Sequence, residues 1–170
     1  MTRFQRRCLA LGLVCLGVFV QSAAFAGDDV AVTLSAQRVT VSHGKEAFMP
    51  ADHARPGDVI EYRATYRNTG ASDVKDLAAT LPVPAGLSYL PRTANPVALL
   101  ASTDGRSFEP VPLKRTVKLA DGSTKTVEVS VSEYRYLRWS IGTLAAKNSR
   151  TVRARMRVAP LETVSAVPAR

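Results

Sequence analysis

Pro56-Gly57-Asp58-Val59-Ile60-Glu61-Tyr62-Arg63-Ala64-Thr65-Tyr66-Arg67-Asn68-Thr69-Gly70 is the stretch on which the reading of the fold turns. Ile60, Tyr62, Ala64 and Tyr66 alternate strictly with Glu61, Arg63, Thr65 and Arg67. A period of two gives a strand one apolar face and one wet face. Pro56-Gly57 opens this strand and Asn68-Thr69-Gly70 closes it with turn chemistry, the asparagine bonding local backbone and the glycine allowing left-handed φ. Recognition of a glycan by that closing loop is the functional alternative.

The same period recurs along the chain. Val127, Val129 and Val131 alternate with Glu128, Ser130 and Ser132, and Val152, Ala154, Met156 and Val158 alternate with Arg153, Arg155 and Arg157. Leu137, Trp139 and Ile141 share one parity, so Trp139 is expected to fill the core of a central strand. Stacking on a ligand is its other reading. Val30, Val32 and Leu34 have one parity and Val39 and Val41 the other, which predicts a break or bulge near Gln37-Arg38. Asp121-Gly122 between alternating runs predicts a tight hairpin with positive φ at both central residues.

Ten prolines exclude long helices after the N-terminal segment. Strands are expected near 29–42, 58–68, 73–80, 87–91, 111–119, 124–131, 134–142 and 149–159, with 94–110 as loop. This all-β pattern predicts an antiparallel sandwich of seven to eight strands with one elaborated hairpin. Its expected core includes Ile60, Tyr62, Tyr66, Leu137, Trp139 and Ile141.

Residues 1–26 read as a secretory signal peptide. Arg3, Arg6 and Arg7 precede an apolar run from Cys8 to Val20, and Ala24-Phe25-Ala26 matches a cleavage site. The run is shorter than the about 20 residues a membrane-spanning helix needs, so cleavage is preferred to an uncleaved anchor and no stable membrane insertion is expected afterwards. General secretion is preferred to twin-arginine export, because only Arg6-Arg7 speaks for the latter. Cleavage leaves 144 of the 170 residues, a single domain spanning 27–170 with a core of about 31–160. Both cysteines, Cys8 and Cys15, leave with the signal, so stability is expected to rest on packing. The three arginines leave too, and the +9 of the whole chain falls to +6.

Several segments together resemble the bacterial "domain of unknown function eleven" repeat family. They are Gly57 to Tyr62, Asn68 to Gly70, Val83-Pro84-Ala85-Gly86-Leu87-Ser88-Tyr89, Trp139-Ser140-Ile141-Gly142-Thr143-Leu144 and the closing strand Thr151 to Val158. The resemblance covers about 31–160 in a single copy. It implies an immunoglobulin-like domain of exported or surface proteins, with no established catalytic residues. No acidic residue lies between Asp76 and Asp104, where the family carries one, and Ala146-Lys147-Asn148 stands at its Pro-Gly.

No catalytic, metal or cofactor constellation stands out. After the signal the chain has His43 and His53, no cysteine, no G-x-S-x-G and no H-E-x-x-H. His53 lies near Asp52 and Asp58, and Asp28-Asp29 opens the mature chain, but the spacing supplies neither the four ligands of zinc nor the six to eight oxygens of calcium. Ser102 to Phe108 approaches an Asp-box turn and is read as a plain hairpin.

Arg153, Arg155 and Arg157, joined by Arg150, form the candidate interaction surface. Projecting together from the wet face, they suit carboxylates or phosphates. The alternative is a charged edge strand that opposes strand addition. Nucleic acid is not expected, since no aromatics interleave with the stripe. The expected function is therefore an exported, non-catalytic structural or adhesion module of the cell envelope, periplasmic, cell-surface or extracellular. The alternative is a binding protein for an anionic envelope polymer or a partner strand through the basic last strand. An envelope protein or an anionic glycan is the expected partner.

Overall fold

The structure, a computed structural model, describes residues 29–160; the signal-peptide reading of 1–26 lies outside them. Eleven strands form antiparallel sheets: β1 (Val30–Ser42), β2 (Lys45–Pro50), β3 (Val59–Asn68), β4 (Val74–Pro82), β5 (Leu87–Tyr89), β6 (Leu100–Ser102), β7 (Glu109–Pro110), β8 (Lys114–Lys118), β9 (Thr124–Glu128), β10 (Tyr136–Leu144) and β11 (Ser149–Val158). The only helical element described is a 3-10 turn at Val131–Glu133. A five-stranded sheet runs β2-β1-β3-β11-β5, a four-stranded sheet runs β4-β10-β6-β7, and β8-β9 is a separate two-stranded ribbon.

The two larger sheets share one sandwich-like core. Tyr66, Ala64, Val152, Ala154 and Met156 from the first meet Ala79, Leu81, Ala101, Leu137 and Trp139 from the second. Of the expected core residues, Ile60, Tyr66, Leu137 and Trp139 are buried, and Tyr62 and Ile141 pack half-buried against the same cluster. Trp139 is 2% exposed and its indole Nε1 donates to the Pro96 carbonyl at 2.8 Å. Burial and a satisfied ring nitrogen together leave no face of this side chain for a ligand.

Polar groups fasten the core at its margins. The Asn68 amide is fully buried, donating to the carbonyls of Ser72 and Leu144 and accepting from the Gly70 N–H. Its role is local backbone satisfaction, as a buried amide requires. Gly70 does not have positive φ. A Cβ there would lie 2.6 Å from the Asp29 carboxylate carbon, so close approach, not left-handed backbone, is what the glycine supplies.

Several expectations change. β1 is unbroken, in continuous register with β3 from Val30↔Asn68 to Val39↔Val59. The apolar parity switches because β2 pairs with β1 from Gln37 onward, and Val39 lies opposite Phe48 on the outer face of the sheet. The irregularity falls instead in β10, where register shifts around Gly142 at φ 71°. The 94–110 segment contains β6 and β7, and β6 pairs with β10 beside the core. The Asp121-Gly122 connection spans Leu119 to Ser123; Gly122 alone has positive φ, while the Asp121 carboxylate accepts from the Ser123 N–H and hydroxyl. Strand β9 ends at Glu128, before the 3-10 turn that Val131 opens.

Candidate functional site

β11 lies inside its sheet, between β3 and β5. Beyond the short β5 pairing, segment 90–95 seals the same flank. Leu90 N–H donates to Arg155 O, Arg155 N–H donates to the Thr93 hydroxyl, and Asn95 and Arg153 exchange both backbone bonds. The charged edge-strand reading is therefore corrected: from Arg153 to Val158 the backbone of β11 is already bonded on that side.

The alternation of β11 projects Arg153, Arg155 and Arg157 from the outer face. Arg150 has the opposite parity and sits in register with Tyr66, so it does not belong to their row. Arg157 is exposed and donates to Gly57 O at 3.3 Å. Arg155 lies opposite Glu61 and Arg153 opposite Arg63 on β3. This register makes Glu61 the centre of the array. Its Oε1 accepts from Arg63 Nε at 2.6 Å, its Oε2 accepts from Arg155 Nε at 3.1 Å, and Arg153 Nη1 stands 3.9 Å from Oε1.

Glu61 is 2% exposed, although the alternation assigns it to the wet side. The β1-β2 hairpin accounts for its burial by bringing Glu46 and Phe48 to the outer face. Both terminal nitrogens of Arg155 donate to the Glu46 carboxylate, at 2.6 and 2.7 Å, and the Arg63 guanidinium lies 5.2 Å from the Phe48 ring centre. Arg155 thus ties β2, β3 and β11 together. Its hydrogen bonds hold the Glu46 carboxyl below the usual carboxylate range, and those bonds to Glu46, with the one to Glu61, push its own pKa up.

Beside this array, Arg92, Thr93, Asn95, Arg153, Arg155 and Glu61 line an open hollow of about 270 Å³. The sequence reading missed Glu46, Glu61, Arg92 and Asn95. The signal for Glu61 was an acid in the wet parity of one strand and three arginines in that of another, but only the β3-β11 register joins them.

The other polar candidates separate. His43 and His53 are exposed in different loops, and His53 lies 3.9 Å from Asp52. Among the described residues no group of three or more His, Cys, Asp or Glu is placed to hold a metal ion. Asp58 is engaged by the Arg55 N–H and by Arg38. Ser102 to Phe108 links β6 to β7 as a hairpin, with Asp104 Oδ1 accepting from the Arg106 and Ser107 N–H groups.

Compared with models of known families, with curated proteins and with solved structures, the chain finds no significant match in any of the three.

Proposed function

We propose that the chain is an exported, non-catalytic, immunoglobulin-like module of the bacterial cell envelope, of the kind that the resemblance to the "domain of unknown function eleven" repeats implies. It acts by presenting surfaces to an envelope protein or an anionic glycan, not by turning over a substrate. The observation that carries this reading is how the charged groups of the outer face are used. Arg155 is held by Glu46 and Glu61, and Glu61 by Arg63, so the strongest ionic contacts brace three strands against one another. Such cross-strand pairs stabilise a sheet and serve no bond-breaking step.

The sequence from Arg3 to Ala26 supports the export part of this reading, because its charge, apolar run and A-x-A ending suit a cleaved leader. Fractionation of a bacterial host expressing the chain tests it. The expected product begins at Gly27 and is released outside the inner membrane. A cytoplasmic product that keeps Met1, or one retained in the inner membrane by residues 8–20, would refute the envelope assignment.

A further inference from the structure

The array contains more cations than its carboxylates can bind. Among the described residues, Arg63, Arg153 and Arg155 have two carboxylates near them, Glu46 and Glu61, and Arg92 lines the hollow beside them. Each oxygen of Glu61 has a nearer arginine partner than Arg153, whose 3.9 Å separation is too long for a hydrogen bond and whose side chain is 42% exposed. Arg92 is an exposed residue of the same lining, and among the described residues its side chain makes no hydrogen bond or ion pair. Two guanidinium groups therefore border the same hollow with their donors largely unspent.

The walls are built before any ligand arrives. The Thr93 hydroxyl donates to Leu90 O at 2.6 Å and accepts from Arg155 N–H at 3.0 Å, while Asn95 is locked to Arg153 through both backbone bonds. These bonds fix the loop bearing Arg92 against the strand bearing Arg153. Asn95 is part of the same lining, and its side-chain amide makes no hydrogen bond among the described residues.

We propose that this hollow is a binding site for one oxyanion group, a phosphate or a carboxylate, free or carried on a sugar. Arg92 and Arg153 donate to it, and Asn95 supplies a neutral donor. Guanidinium groups suit this role because their planar N–H pairs match the spacing of two oxyanion oxygens. The negative charge of Glu61 does not repel the ligand strongly, since Arg63 and Arg155 already offset it. A volume of about 270 Å³ admits such a group with part of its carrier but not a folded domain. The site gives the interaction-module reading a ligand chemistry and rests on that reading only for its biological setting.

The test is titration of the purified full-length product, with whatever processing its host carries out, using inorganic phosphate, glucose 1-phosphate and galacturonate. Binding is followed by calorimetry and by amide shifts at 92–95 and 153–155. Saturable binding is expected, weakening as salt rises because the charges are exposed. R92Q/R153Q should weaken it by about tenfold or more, corresponding to roughly 1.4 kcal/mol. Asn95→Asp, which adds a negative charge to the hollow, should weaken it as well, while Lys118→Gln on the separate β8-β9 ribbon, outside the lining, should not.

Tighter binding of either sugar than of phosphate would support the site and assign it to acidic saccharides. Tightest binding of phosphate itself would support it with the free oxyanion as ligand. No saturable binding by any probe, or equal binding by R92Q/R153Q, would overturn the proposal. Either failure would leave the export result untouched, so the two claims can fail separately.

Discussion

The two faces of the β3-β11 pair are built from the same alternation but solve different problems. Inward, Tyr66, Ala64, Val152 and Met156 enter an apolar core whose stability depends on close packing. Outward, Glu61, Arg63, Arg153 and Arg155 form a charged layer in which one carboxylate is buried almost as deeply as the core itself. The inner face tolerates no void. On the outer face it is the buried Glu61 that depends on its counter-charges, because removing one partner of a buried ionic group leaves the other uncompensated, while the exposed arginines are met by water.

The largest expected effect belongs to the inner face. Trp139→Ala should cost about 3 to 5 kcal/mol, the usual range for truncating a buried aromatic. The loss includes the indole bond to Pro96 O, so segment 96–99 should loosen with it. Denaturant titration measures the cost, and a loss below about 1 kcal/mol would contradict the assignment of Trp139 as a principal core filler.

On the outer face, Glu61→Ala should cost about 3 kcal/mol, at the low end for breaking a buried ion pair because its arginine partners remain partly exposed. Glu61→Leu combined with Arg155→Met should recover much of that loss, since it removes the central charge and a principal partner together. If the double replacement proved as damaging as Glu61→Ala, the difference between the two faces would lie in shape and not in charge.

The smallest effect concerns the rim of the same layer. Hydrogen bonding to Arg155 lowers the pKa of Glu46 in the folded state, so the ionised carboxylate stabilises the protein above its unfolded value. That contribution diminishes as pH falls below the ordinary glutamate range and is lost once the folded carboxyl is protonated. Comparison with Glu46→Gln across pH 6 to about 2 should therefore give a stability difference that shrinks on acidification. A difference that grew on acidification would contradict the sign of this linkage.

How much could be read in advance follows the range of the signal. Ile60 to Tyr66 and Val152 to Met156 announce their buried faces locally, and Leu137-Arg138-Trp139 marks a core strand in three residues. Lys45–Pro50 does not alternate and is exposed throughout, so nothing local marks it as a strand; pairing with β1 makes it one. Leu100–Ser102 is too short to show a period and owes its strand to β10. The buried position of Glu61 depends on a strand about ninety residues later and on a hairpin before it. Likewise, a strand near 87–91 was legible, but its pairing with β11 was not, and so the basic last strand looked like an edge.

The paired register also determines how the domain carries a mechanical load. β1 and β11 both run antiparallel to β3, with Val30 beside Asn68 at one end and Arg157 beside Val59 at the other. The entry to β1 and the exit from β11 therefore lie at opposite ends of the sheet, roughly 30 Å apart at about 3.3 Å per residue. Tension applied between them acts along the strands. It loads the β1-β3 and β3-β11 hydrogen bonds together in shear, where unzipping would break them one at a time. Rupture of the domain under such a pull is governed by its unfolding rate.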